Sequence, residues 1–482
     1  MKSTVKFFSL RFVLALGLGF AAPSFSTMVH AQAPATSSTA AWTSDVLENG
    51  LEIITMPAPK VPLVTIVLVS KAGAMTETPD INGLTHLWEH MFFKGNARLP
   101  NQEAFHRRVR QLGISYNGDT SAEKVRYYFT LPSVFLDEGM QFMADAISTP
   151  LLEEKEMQRE RVVVLDEYDR NASNPGFDRY DLERSIVYGD KAYLRDALGI
   201  RTIIEKATRE QLLTIRDRVF VPSNCAVVVS GDVDPKKAKA LAQKHFANWH
   251  NPKDWKPFNS PDFPAFPETT DFVMTRPHLE NAAVDITFNG PRVRNTPKDS
   301  YPADMLVTLV GHRSGKFYKK FIDSGLTFTA GFGFHTQSQA GELQLFAETK
   351  AENVAKAKAD LLAEIPEFGK EGYFSESQLE DVKRSLAIDR KKEMNQPSEY
   401  AKHLAFWWAV TGLTYYDTYL DNLRKVTLAD VRDFVQRYLI GKTYVASILL
   451  SPENAKKANL TDNSGPLMAK YFPDRAKEQT AR

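Results

Sequence analysis

The sequence predicts an α+β protein built from two homologous halves in tandem. Thr208-Arg209-Glu210-Gln211 opens a helix with a capping-box pattern. The helix runs to Phe220, turns at Pro222-Ser223-Asn224 and leads into a strand from Cys225 to Val229. Thr427-Leu428-Ala429-Asp430 opens the same unit again: helix to Leu439, turn at Gly441, strand from Tyr444 to Leu450. The offset is 219 residues throughout, which marks an internal duplication. Between the copies stand Pro252, Pro257, Pro261, Pro264 and Pro267, a density that neither a helix nor a central strand tolerates.

The segments follow in order. Residues 1–31 have the form of a cleaved export signal. Lys2, Lys6 and Arg11 are its cationic start, Phe12 to Ala22 its apolar run, and Val29-His30-Ala31 a small-residue cleavage site. The run is shorter than the roughly 20 residues a membrane span needs. Residues 43–250 form the first domain. Asn49-Gly50 signals a hairpin before Leu51 to Ile54, and Leu63 to Val69 reads as a mostly buried strand. Tyr127-Tyr128-Phe129 sits in another strand, and helices are expected near 83–94, 102–112, 134–147, 153–170 and 208–220. Residues 251–270 are expected to be an extended linker. Residues 271–465 form the second domain, with helices near 301–311, 315–324, 351–365 and 376–392, and 466–482 a loose polar tail.

Composition narrows the function. Lys+Arg 60 against Asp+Glu 59 lacks the basic surplus of a nucleic-acid binder. The single cysteine, Cys225, excludes an internal disulfide and thiolate-rich zinc sites, and its apolar strand suits packing. Gly311 to Phe317 has the look of a phosphate loop, but it is one residue short and Phe stands in place of Ser/Thr. The scattered His106, His245, His250, His278, His312, His335 and His403 read as surface or satisfied side chains. Asn171-Ala172-Ser173 and Asn459-Leu460-Thr461 match a short glycosylation pattern that often arises by accident.

The chemistry concentrates in His86-Leu87-Trp88-Glu89-His90. On a helix, Leu84, Leu87, Trp88, Met91 and Phe92 make one apolar stripe, with His86, Glu89 and His90 opposite. Two imidazoles one turn apart can share one tetrahedral zinc, and Glu89 is placed to take a proton from water on the metal. Met157, Glu160, Val163, Val164, Glu167 and Tyr168 share a face of a second helix. Two carboxylates on an apolar stripe need a cation or donor, which a zinc ion would supply; ordinary salt-bridging glutamates are the alternative.

HxxEH is the inverzincin motif, and its setting resembles the pitrilysin–insulinase zinc peptidases, in the subgroup of the mitochondrial processing peptidase. The helix motif continues through Phe93, Lys94 and Gly95 as in that family. Glu160-Arg161-Val162-Val163-Val164-Leu165-Asp166-Glu167 matches its Glu-Arg-x-Val-Val-x-x-Glu run, with Glu167 77 residues after His90. Asn117 to Ser121 with Tyr127-Tyr128 is similar to its edge-strand segment, and Ser230 to Pro235 to the close of its first domain. The resemblance implies tandem α/β-roll domains, half of a four-domain clamshell. It also implies one zinc per chain held by His86, His90 and Glu167, Glu89 as general base, and Glu160 as a supporting carboxylate. Asn117 and Gly118 would lie on an edge strand that pairs with substrate backbone, although alone they also read as a turn.

Two departures matter. Active members carry an Arg and a Tyr seven residues apart in a later domain. Phe321 and Phe328 stand there, and neither ring donates a hydrogen bond or carries charge. Lys319 and Lys320 lie near the Arg position without its planar fork. Asp190 to Tyr193 replaces a common His-Pro, to no evident effect. The expectation is therefore a periplasmic zinc metallopeptidase acting on peptides or unfolded segments. It would work as a heterodimer with a zinc-free homologous subunit that supplies Arg and Tyr, in preference to a homodimer. A non-catalytic scaffold subunit and a peptide-binding module are the alternatives.

Overall fold

The computed structural model describes residues 42–475, apart from 260, 262, 264, 265, 267 and 474. The export signal expected over 1–31 lies outside the described residues. The first half contributes strands β1 Thr43–Val46, β2 Glu52–Pro57, β3 Leu63–Ser70, β4 Ser115–Thr120, β5 Val125–Pro132 and β6 Cys225–Gly231. Its helices are α1 Leu84–Phe92, α2 Gln102–Leu112, α3 Leu136–Ser148, α4 Glu154–Ala172, α5 Phe177–Tyr188, α6 Arg201–Glu205, α7 Arg209–Val219 and α8 Pro235–Phe246. The second half has β7 Thr270–Thr275, β8 Ala282–Asn289, β9 Thr329–His335, β10 Glu342–Thr349 and β11 Val445–Leu450. Its helices are α9 Pro297–Val310, α10 Lys316–Tyr318, α11 Val354–Phe368, α12 Glu376–Met394, α13 Pro397–Val410, α14 Leu413–Lys425, α15 Leu428–Tyr438, α16 Pro452–Lys457 and α17 Gly465–Tyr471.

The duplication seen in the sequence reappears as topology. The first sheet has the order β1-β2-β6-β3-β5-β4 and the second β7-β11-β8-β10-β9. In each, the strand that follows the capping-box helix runs parallel to one neighbour and antiparallel to the other. β6 pairs with β2 (Ile54↔Val228) and β3 (Val67↔Val228). β11 pairs with β7 (Val273↔Ile448) and β8 (Val284↔Ile448). Thr208 and Thr427 each close a reciprocal box with Gln211 and Asp430. β3 and β6 are apolar on both faces because helices cover both sides of them.

The covering helices are exchanged between halves. α13 lays Tyr400, Ala401, Leu404, Ala405 and Trp408 on Ile54, Met56, Val67, Val69, Ala226 and Val228 of the first sheet. α5 lays Leu182, Ile186 and Val187 on Phe272, Met274, Val445 and Leu449 of the second. Polar ties follow the same seams: Trp408 Nε1 to Glu52 (2.6 Å), Arg126 Nη1 to the Lys402 carbonyl (2.6 Å) and Arg276 to Asp178 (2.6 Å).

Two segments carry more structure than the sequence suggests. In the linker, Phe263 and Phe266 are buried in the core between α5 and the second sheet. The stretch from 466, expected to be loose, opens with α17, whose Met468 is buried in the same core. Arg475 beyond it bonds Asp181 (2.7 Å) and the Tyr168 hydroxyl (2.9 Å). Two apolar side chains are enough to anchor a segment whose overall composition is polar.

Candidate active site

Helix α1 is short and held at both its end and its face. Its N-terminus turns through Gly83, at φ +95°. A Cβ there would stand 2.8 Å from the Gly199 Cα of a crossing loop. The buried Glu77 carboxylate caps the first turn. It accepts from the Gly83 and Thr85 backbone amides (2.8 and 2.7 Å), the Thr85 hydroxyl (2.8 Å) and the Asn82 side chain (2.9 Å). A negative group at this end satisfies free amides and complements the helix dipole. Burial raises the Glu77 pKa, and the four hydrogen bonds oppose the rise. The apolar stripe docks into the first core, with Trp88 stacked on Phe220 and Phe92 on Tyr127.

The opposite face carries His86 and His90, with rings 4.9 Å apart and nearly perpendicular. Helix α4 packs alongside with Met157, Glu160 and Val164 buried. Val163, expected on that stripe, is 41% exposed, because one residue of helix rotation turns it away from α1. Glu167 Oε2 lies 3.6 Å from His86 Nε2 and 3.7 Å from His90 Nε2. Glu160 Oε2 bonds His90 Nδ1 (3.1 Å), and Lys94 Nζ holds its other oxygen (2.6 Å).

These side chains fit a metal. One ligand atom each from His86, His90 and Glu167 can be chosen so that all three lie within 4.8 Å of one another. A tetrahedral ion with bonds of about 2.0–2.1 Å has ligand atoms about 3.3 Å apart, close to the carboxylate–imidazole distances here. Burial, reinforced by His90 beside it, lowers the His86 pKa to about 4, so its imidazole is neutral and its lone pair available. Burial also opposes charge on His90, but Glu160 and Glu167 outweigh it and raise that imidazole to about 9. The same charges hold Glu160 and Glu167 below the usual carboxylate range against the effect of burial. The group as it stands calls for positive charge at its centre.

Glu89 lies beside this centre, 8% exposed, and burial pushes its carboxyl up to about 7. Oε2 accepts the Thr120 hydroxyl (2.7 Å), and a Cβ on Gly118 would stand 2.9 Å from Oε1. Both residues belong to β4, which pairs only with β5, through Asn117↔Tyr128 and Gly118↔Tyr127. Its other edge carries no strand among the described residues. Strand alternation puts Gly118 and Thr120 on the α1 face and Asn117 on the other, where it is exposed.

His86, Glu89, His90, Glu160, Glu167 and Gly118 therefore come together, with Asn117 one residue along the same strand. Phe321 is instead buried in the second core, stacked on Phe317 at 4.4 Å, whereas Phe328 is 54% exposed just before β9. The sequence reading missed Glu77, which lies outside any motif, and the Thr120 contact, which strand alternation from Gly118 could have suggested.

The comparisons with known proteins agree with this geometry. The sequence model described as "Insulinase (Peptidase family M16)" matches residues 52–188, and that described as "Peptidase M16 inactive domain" matches 206–386, together well over half of the chain. The chain belongs to the insulinase family of peptidases. Within this M16 family it is 25% identical to the zinc protease PqqE of Helicobacter pylori over 401 residues, 80% of this chain and 88% of that one. It is 29% identical to the mitochondrial-processing peptidase subunit beta of Lentinula edodes over 205 residues, 42% and 43% of the two chains. The first half of the periplasmic protease PqqL from Escherichia coli has the same fold, with TM-score 0.73 at 19% identity, covering 89% of this chain and 96% of that one. Against the complete PqqL the match covers 50% of the longer chain, so the M16 fold here is half of a clamshell. Among the described residues no helix is long and apolar enough to cross a membrane.

Proposed function

We propose that this chain is the metal-bearing subunit of an exported zinc peptidase that hydrolyses peptides and unfolded polypeptide segments. The observation that carries the reading is the convergence of His86, His90 and Glu167 beside the Glu89 carboxylate. These three side chains would hold one zinc ion per chain. Zinc bound there supplies Lewis acidity, making water more acidic and polarising a peptide carbonyl. Glu89 accepts the proton of the attacking water as its oxygen bonds to the carbonyl carbon. The carboxylic acid so formed then returns the proton to the departing amine. Glu160 orients His90 through Nδ1.

The substrate enters as a strand. Asn117 and Gly118 lie on the free edge of β4, where an extended peptide can add main-chain hydrogen bonds. That mode favours unfolded segments, whose backbone groups are free. The half-clamshell fold and the phenyl rings of Phe321 and Phe328 support a partner: a homologous zinc-free subunit supplying Arg and Tyr, in preference to a second copy. The leader-like residues 1–31 and the likeness to a periplasmic protease support a periplasmic location.

The test uses the full chain, tagged and purified with its co-purifying subunits, on a pool of unfolded peptides. Cleavage should disappear in Glu89→Gln and on chelation, and return with added zinc after chelation only in the wild type. Full hydrolysis by Glu89→Gln would overturn the mechanism. A zinc-loaded, intact complex without cleavage favours the scaffold reading, for which Phe321 buried in the core is the supporting observation.

A further inference from the structure

Glu89 receives one side-chain hydrogen bond among the described residues, from the Thr120 hydroxyl. We infer that Thr120 is a positioning residue that orients the Glu89 carboxylate for proton transfer and ties that orientation to the strand on which substrate docks. The inference rests on the reading of Glu89 as general base.

A carboxylate at the end of a Glu side chain has two chemically equal oxygens and a soft terminal torsion. Here the environment makes the oxygens unequal. The Thr120 hydroxyl has a single proton, and it goes to Oε2 at 2.7 Å. Oε1 accepts no side-chain hydrogen bond among the described residues, and it lies beneath residue 118, where the missing side chain makes room. Glycine at 118 and a hydroxyl at 120 thus select which oxygen accepts the proton.

Thr120 itself is held firmly. Its β-branched side chain has few rotamers. Its backbone pairs with Val125. The preceding Asp119 is clamped by both Lys124 and Arg126. The β4–β5 turn is fastened to the second half by Glu123, whose carboxylate accepts from the Ser338 hydroxyl (2.6 Å) and amide (3.0 Å). The base is therefore registered against β4, the same strand that would set the position of the scissile peptide. A purely structural role, in which Thr120 only satisfies a buried acceptor, makes a different prediction: losing the hydroxyl would cost stability and leave turnover intact.

The experiment compares Thr120→Val, which keeps the shape and loses the hydroxyl, with Thr120→Ser, which keeps the hydroxyl. Both are measured in the co-purified complex on one fluorogenic extended peptide, with bound zinc and thermal midpoint recorded alongside. Thr120→Val should lower kcat by about 10–100-fold with KM within about twofold and zinc content unchanged. Thr120→Ser should recover most of the rate. Full kcat in Thr120→Val beside an inactive Glu89→Gln overturns the positioning role and leaves the base assignment standing. Full activity in both variants overturns the base assignment itself. Loss of zinc together with rate in Thr120→Val, or no recovery in Thr120→Ser, makes Thr120 structural and also overturns the inference.

Discussion

His90 is held from behind by Glu160, and Glu160 in turn by Lys94, in a line of charge that ends on the candidate metal centre. A carboxylate bonded to the far nitrogen of a ligating imidazole fixes the ring and raises its basicity. Glu160→Ala should therefore weaken zinc binding by about 10–100-fold, measured by competition with a chromophoric chelator, while the thermal midpoint of the metal-free protein changes little. An unchanged zinc affinity would remove Glu160 from the site. Most of these residues were legible in the sequence, because helical spacing alone puts His86, Glu89 and His90 on one face and Glu160 with Glu167 on another. Thr120 and Glu77 were not. Each acts on α1 from outside it, and no local periodicity reports a contact between elements. Phe321 was read for the charge its ring lacks, and its packing against Phe317 in the second core becomes visible only in the fold.

At the scale of elements, the pair α9 and α14 carries a half-buried acid whose carboxylate meets one side-chain partner among the described residues. Asp304 bonds the Tyr419 hydroxyl at 2.7 Å, and burial pushes its carboxyl up to about 7. In the unfolded chain the group returns to its ordinary value of 3.8. Between these values the native state keeps a proton that the unfolded state has lost. Stability from this group is therefore full below about pH 4, falls as pH rises to about 7, and is flat above. Asp304→Asn removes that slope. The variant should be more stable than wild type at pH 8 by on the order of 1–2 kcal/mol, after allowance for partial solvent access, and the gap should close by pH 4. Denaturant titrations at the two pH values read the difference directly; a gap independent of pH would contradict it. The elements themselves were unevenly legible. β3, β6 and the repeated helices α7 and α15 announce themselves by apolar runs and cap residues. α5 does not, since Asp181, Glu183, Arg184 and Ser185 are buried along with its apolar residues. Glu183 meets Ser447 and Asp181 meets Arg475 in the other half of the chain, while Arg184 pairs with Asp181 and with Asp196 beyond the helix, so the pattern looks like a solvated helix until the fold is known.

The whole molecule depends on the exchange of α5 and α13. These helices occupy equivalent places in the duplication, and each closes the sheet of the other copy. Residues 43–250 expressed alone would expose Ile54, Met56, Val67, Val69, Ala226 and Val228 on one face of a sheet. A patch of that kind drives association. That fragment should be insoluble or aggregated, and co-expression with 251–482 should return both to solution as a complex; gel filtration of the three preparations decides it. A soluble monomeric 43–250 fragment would mean that α13 contributes little. The sequence reveals the duplication plainly yet says nothing of the exchange, because covalent order and spatial neighbourhood part company only in three dimensions.

That arrangement also governs the order in which the polypeptide can mature. A protein made of self-sufficient domains completes its first domain while the second is still being synthesised. Here the strand β6 arrives only at Cys225–Gly231, and the lid of the first sheet only at Pro397–Val410. Until that point the leading half has a sticky, half-dressed surface. A chain caught before that point would present Ile54, Val67 and Val228 to water.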